Sequence, residues 1–413
     1  MLNNTEFMKI ASPENTRNAM PLDAERVAPL RHPAIFKEHE NGGHNGFGAY
    51  QSFGQTPASR LGHAALGPVQ IWPGGEWENR MYGDGNPLAF QINSFKELMM
   101  GADKRAMANE NVVTPEDARK IKNRFNHMLF QFNSLMRDEK NIAETMTHEI
   151  AAMVKKEFFP FLLLTHSGER CYSKPRGYAG DFYTIETIYQ NTPRGIGRLG
   201  PVLDACFLDL PVSWAVRNRR SLLSNEITKT IQKKNGEKTK IMSIACGPSR
   251  EVTDAFEMME DNKKTSLHAT LLDFDSQALS FVDQIISDMK LKKQVAFLNE
   301  NIIDLISGKK SIKLEKQDLI YSVGLIDYFK DEMVIQLLNY IHDSLSPNGR
   351  VILGNFHPAN PNRAFMEHVL EWRLIHRNEE DMNRLFRASK FKKPCSNIVF
   401  ENEKINLFAE CER

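Results

Sequence analysis

Two short turns hold the residues best suited to chemistry. The first, Ser243-Ile244-Ala245-Cys246-Gly247-Pro248-Ser249, follows an apolar run and is built of small residues. Its backbone can therefore approach a ligand closely, and the helix after it can present free N–H groups. The second, Leu272-Asp273-Phe274, closes another apolar run with a carboxylate able to accept both hydroxyls of a ribose. Asp273 could instead cap the helix starting near Ser276, although Asp275 is the more natural cap. Taken together, the turns describe a cradle for a nucleoside-bearing cofactor. A turn with one glycine is common in itself, so the weight falls on the pair.

A second group of residues could handle an acceptor. Lys174 and Arg176 precede Gly177-Tyr178-Ala179-Gly180-Asp181. The cations could pair with a carboxylate or simply stand in a solvated loop, and Tyr178 offers a hydroxyl and a ring face. His357 follows a further apolar run, where a general base could reach a hydroxyl or amine. A carboxylate acceptor would need orientation more than deprotonation, and His357 beside Pro358 would then be structural.

Both groups need elements to position them. From Lys238 onward the pattern predicts strands at 240–245, 267–272, 295–298, 319–323 and 350–354, alternating with helices to about Glu260, over 276–289, over 332–345 and over 363–386. Such alternation calls for an α/β fold with a parallel sheet covered on both faces. It ends in a hairpin, Ile398-Val399-Phe400 and then Ile405 to Ala409. In open sheets of this kind ligands sit outside the carboxyl ends of the strands, which also brings Asn301, Ile302 and Ser322 toward the site. Residues 93–237 read as a helical domain. Within it, Thr114-Pro115-Glu116-Asp117 is a capped helix start, and a further helix runs from Val212 to Lys233. Residues 1–92 are rich in Gly and Pro and read as a loop-rich extension of unassigned role. The chain thus divides into 1–92, 93–237 and 238–413.

Composition narrows the function classes. Net charge is +1, with 53 basic and 52 acidic residues, so no global field recruits nucleic acid or an anionic membrane. No apolar run has the length of a membrane span, and the first residues lack the apolar region of a secretory signal. The five cysteines are widely spaced, without zinc-ligand or disulfide patterning, which leads to the expectation of a reduced, cytoplasmic protein without a metal site.

The doubly wound sheet ending in an antiparallel hairpin resembles the S-adenosylmethionine (SAM) methyltransferase variant of the Rossmann fold. That resemblance implies SAM as cofactor. It implies Ala245, Cys246 and Gly247 at the glycine-loop position, with Ala245, Ser249 and Ser243 standing where the family has two further glycines and an acid. It makes Asp273 the ribose ligand, Phe274 an adenine neighbour, Asn301 and Ile302 contacts of the adenine edge, and puts Ser322 beneath the methionine part. Four segments are similar to a narrower group, the bacterial methyltransferases of the extracellular-factor type that make 3-hydroxypalmitic acid methyl ester. They are Lys174 to Phe182 with Ile188-Tyr189; Ala215 to Arg220; Tyr321 to Tyr328; and Gly354 to Pro358 with Trp372 and Arg377. This likeness covers about residues 158–413. It implies an O-methyltransferase acting on a small carboxylic or hydroxy acid. In that setting Tyr178, Gly180 and Asp181 would close over SAM, and Arg176 would hold the acceptor carboxylate. Other acceptors, including nitrogen, and a SAM-binding protein without catalysis remain as alternatives, and the oligomeric state stays open.

Overall fold

The computed structural model describes residues 87–137 and 144–413; the extension expected over 1–92 falls outside these up to residue 86. The described chain opens with helices α1 (Pro87–Ala108), α2 (Pro115–Arg137) and α3 (Glu144–Leu162). The expected cap is in place, since Thr114 Oγ1 accepts the Asp117 N–H at 3.1 Å. Three shorter helices follow, α4 (His166–Ser173), α5 (Phe182–Gln190) and α6 (Gly200–Leu208), then the long α7 (Pro211–Lys233).

The sheet contains β1 (Thr239–Ile244), β2 (Leu267–Asp273), β3 (Val295–Asn299), β4 (Gln317–Val323), β5 (Leu345–Phe356), β6 (Asn397–Phe400) and β7 (Asn406–Glu412). Helices α8 (Arg250–Glu257), α9 (Ser276–Asp288), α10 (Ile302–Ile306) and α11 (Asp331–Ser344) lie between strands β1 to β5, and α12 (Glu379–Ala388) precedes the hairpin. Strand order is β3-β2-β1-β4-β5-β7-β6. The first five strands are parallel, while β7 runs antiparallel to both β5 and β6. This is the expected α/β sheet with its terminal hairpin, and its switch in order falls between β1 and β4.

Three apolar cores hold the elements together. One lies on each face of the sheet, around Leu338 and Phe386 on one side and Phe256 and Ile286 on the other. The third joins α1 to α7 to the 364–374 segment through Phe95, Phe158, Phe207 and Phe365. Helix α7 belongs to two of them, because its Val216 packs in the helical core and its Leu223 and Ile227 against the sheet. The helical part is thereby welded to the strand ends.

One element differs from its sequence pattern. The helix expected over 363–386 is broken: a π-helical turn covers Phe365–Val369, irregular chain follows, and α12 begins only at Glu379. Leu370 N–H donates to Phe365 O, Ile375 N–H to Asp327 O and Arg377 N–H to Phe356 O, so the chain turns aside to pair with the ends of the sheet. Asn378 and Asp381 then start α12 with a reciprocal capping box. The apolar period is continuous across the break, but tertiary hydrogen bonds take the backbone groups that a helix would have used.

Candidate functional site

Beyond the carboxyl ends of β1, β2 and β4 lies a cavity enclosing about 970 Å³, open mouth included. The turn after β1 forms its floor. Ala245, Gly247 and Ser249 have φ of 55°, 52° and 47°, so all three alternate positions are left-handed even though only one is glycine. This conformation turns the Gly247 N–H onto Asp273 Oδ2 at 2.9 Å, while Asp275 N–H donates to Oδ1 at 2.9 Å. Asp273 is 6% exposed, and burial pushes its carboxyl up to about 6 despite the two N–H donors. Each oxygen still has a free lone pair for a ligand hydroxyl.

The roof is the segment between α4 and α5. Gly177 and Gly180 have φ of 84° and 74°, which bends residues 174–181 across the cavity. Tyr178 lies against Phe274 with ring centroids 5.4 Å apart, and its hydroxyl donates to Asp275 Oδ2 at 3.1 Å. Burial raises that hydroxyl well above the ordinary tyrosine range. Gly180 is needed for space as well, because a Cβ there would lie 2.9 Å from the Trp372 ring and 3.1 Å from the Tyr328 hydroxyl. Trp372 donates its indole N–H to that hydroxyl at 2.8 Å, and the hydroxyl donates to Ala179 O at 3.0 Å.

Several expected site residues come together here. Tyr178, Gly180, Ala245, Cys246, Gly247, Asp273 and Phe274 all line the cavity. Others lie elsewhere, each for a visible reason. Arg176 does not line the cavity; its guanidinium forms a two-pronged pair with Asp275, Nη2 to Oδ1 at 2.6 Å and Nε to Oδ2 at 3.0 Å. Asp275 caps α9 and its side chain is 1% exposed, so its buried charge claims the arginine. Lys174 donates to the carbonyls of Tyr172 and Leu370. Asp181 caps α5, accepting from Tyr183, Thr184 and Arg170. Asn301 caps α10, and Ile302 is buried in the core beneath the sheet. Ser322 donates to Ile244 O at 2.8 Å, bridging β4 to β1. His357 accepts the Ala359 N–H at Nδ1, and its Nε2 lies 3.3 Å from Glu379, away from the cavity lining.

The cavity gains residues to which the pattern alone gives no role. Arg219 arrives from α7, Ile185 and Tyr189 from α5, and Asp327 and Tyr328 from the turn after β4. Trp372 and Leu374 arrive from the broken helix segment. Arg377, 2% exposed, fixes the β4 turn by donating to Ile326 O at 2.8 Å and Phe329 O at 2.5 Å. Arg219, Tyr189, Asp327, Tyr328 and Trp372 all fall within the four segments noted in the sequence, which was the available signal. Ile185, Val216, Phe356, Trp372 and Leu374, which share one apolar core, give the cavity an apolar wall.

Among solved structures the fold is similar to a possible exported protein from Bordetella parapertussis, with 15% identity over 73% of this chain and 99% of that one and a TM-score of 0.49. It is also similar to magnesium protoporphyrin IX methyltransferase from Synechocystis with bound SAM, at 11% identity over 49% and 83% of the two chains and a TM-score of 0.36. The N-methyltransferase NodS from Bradyrhizobium japonicum gives 16% identity over 48% and 95%, with a TM-score of 0.32. These scores are too low to bear on activity. No curated protein matches the chain. No helix among the described residues is long and apolar enough to cross a membrane. A family model does match, over residues 176–400, so that it begins within the cavity roof and takes in α5 to α7 as well as most of the sheet. With more than half of its length in that match, the chain belongs to the family described as "Putative methyltransferase".

Proposed function

We propose that this chain transfers the methyl group of SAM to an oxygen of a small acid with an apolar body, such as a hydroxy fatty acid. The observation that carries the reading is one cavity lined both by Asp273 with the Gly247 turn and by an apolar wall of Ile185, Val216, Phe356 and Leu374. The residues present fit the cofactor. The Asp273 oxygens can accept ribose hydroxyls, and the Tyr178 and Phe274 rings, in contact with each other, offer an aromatic surface for a flat base. When bound, SAM supplies an electrophilic methyl group on a sulfonium.

The chain's own residues contribute position and dehydration. Tyr178, Trp372 and Tyr328 close the roof, and the apolar wall can hold the acceptor's body out of water. No histidine or lysine is among the lining residues. A carboxylate acceptor is anionic at neutral pH and needs orientation more than deprotonation.

The test is to incubate the full chain with methyl-labelled SAM and a panel of long-chain 3-hydroxy acids, then to follow the label by mass spectrometry. Label in a base-labile methyl ester is the expected result. Label in a base-stable ether or an amine would overturn the carboxylate assignment and leave the methyltransferase assignment standing.

A further inference from the structure

Two charged groups in the cavity lack a full set of partners. Arg219 is 6% exposed and its Nε has no hydrogen-bond partner. Asp327 is 1% exposed; its Oδ1 accepts the Phe356 N–H at 2.7 Å, while Oδ2 has no partner. Both line the cavity, on the β4 side of the switch in strand order. A Cβ at Gly324 would lie 3.4 Å from Arg219 Nη1, so the guanidinium stands over the turn that ends β4.

The other charges of the cavity are already committed. Asp273 belongs to the β2 end, and Glu251 accepts the Tyr321 hydroxyl at 2.8 Å. Arg219 is the one arginine among the lining residues, which include no lysine. At the end of β1, Ser243 brings no charge. Burying an incompletely paired cation and an incompletely paired carboxylate together is costly unless a ligand completes both. A ligand with one positive and one negative group on the same carbon would do so.

We propose that Arg219 and Asp327 form the receptor for the α-amino-acid end of the cofactor, the guanidinium taking its carboxylate and the Asp327 carboxylate its ammonium. The proposal rests on the SAM reading above. A nucleoside held at Asp273 and crossing β1 would bring its tail to β4, where these two side chains wait. The chain thus places its carboxylate after β4, where the sequence has a serine at the end of β1.

Calorimetry on the full chain with three ligands tests this. S-adenosylhomocysteine carries both charged groups, its decarboxylated counterpart keeps only the ammonium, and 5′-methylthioadenosine has neither. The intact chain should bind them in that order, with roughly tenfold or more between the first and the last, as expected for charge-assisted contacts. Arg219→Met should weaken S-adenosylhomocysteine roughly ten- to a hundredfold and leave the other two nearly unchanged. Asp327→Asn should weaken both amino-bearing ligands and spare methylthioadenosine. Binding of methylthioadenosine also reports that each variant is folded. Equal weakening of all three ligands by either variant would overturn the proposal, since the residue would then merely shape the cavity. Equal affinity of the intact chain for all three would overturn it without any variant. If the intact chain bound none of them, the SAM reading itself would fall.

Discussion

At the scale of single residues, Asp273 and Asp327 set the pH behaviour. Burial raises each to about 6, above an unfolded value of about 4. Between those two values the folded chain keeps protons that the unfolded chain releases. Both carboxyls therefore favour the fold at the acid end of this window, and that contribution is lost as pH rises through about 6. Cofactor binding should run the other way, because Asp273 must be ionised to accept the ribose hydroxyls. Asp327 must likewise be ionised to take the ammonium, so titration calorimetry should show S-adenosylhomocysteine affinity falling roughly tenfold for each carboxyl, about a hundredfold together, from about pH 7 to about pH 5. Asp273→Asn should weaken binding by ~1.5–3 kcal/mol at neutral pH and make the pH profile shallower. An unchanged profile would remove Asp273 from the site. Arg176 also has a prediction at this scale. Its pair with Asp275 has side-chain exposures of 8% and 1%, so Arg176→Ala should cost about 3–5 kcal/mol of stability and weaken cofactor binding too. A raised acceptor KM with an unchanged melting temperature would instead return Arg176 to the acceptor.

At the scale of elements, the roof and the broken helix act together. The 174–181 segment lies over the cavity because two glycines take left-handed φ, and it stays closed because Trp372 and Tyr328 meet it. Trp372 can do so only because the chain leaves its helix after Val369. Gly180→Ala tests this coupling, since its Cβ would lie 2.9 Å from the indole at a φ of 74°. The left-handed backbone alone should cost about 1–2 kcal/mol, with further loss from the displaced ring. Methyl transfer should drop by roughly tenfold or more, and a shift in tryptophan fluorescence should report the movement. Wild-type transfer with unshifted fluorescence would mean that the roof tolerates the added methyl group.

At the scale of the whole molecule, the cavity belongs to both halves of the chain. Tyr178, Ile185, Tyr189, Val216 and Arg219 precede the sheet, while Asp273, Asp327 and Trp372 lie within or after it. Helix α7 carries this junction. Beyond its apolar contacts, Glu226 of α7 accepts from Arg350 of β5 at 2.7 Å. A fragment of residues 238–413 would lose one wall of the site and the cover of Leu223 and Ile227 on the sheet. We expect it to bind S-adenosylhomocysteine at least ~100-fold more weakly than the full chain, roughly the loss of two or three polar contacts, and to show no methyl transfer. Full activity in the fragment, measured with labelled SAM, would reduce the helices to scaffold.

By itself, the sequence determined the α/β sheet and its terminal hairpin, and it put Gly247 and Asp273 at the strand ends that line the cavity. Those features follow from local rules: apolar runs of strand length, small residues where the backbone must turn, and a carboxylate closing a strand. The cap at Thr114 and the start of α7 near Val212 were legible for the same reason. Tertiary structure alone decided how the polar side chains were divided between scaffold and cavity. Asp275 caps its helix as its position suggested, and Asp181 and Asn301, of the right type and position for ligand contacts, also cap helices, where orphan N–H groups take up their oxygens. Arg176 was drawn to Asp275 and His357 toward Glu379 by partners distant in sequence. Conversely, Arg219 looked like one more charge on a helix until α7 packed across the strand ends, and Trp372, noted only as part of a family-like segment, reaches the roof because its helix breaks. A pattern fixes which residues share a face, whereas the partners of a buried charge are fixed only when the chain closes around it.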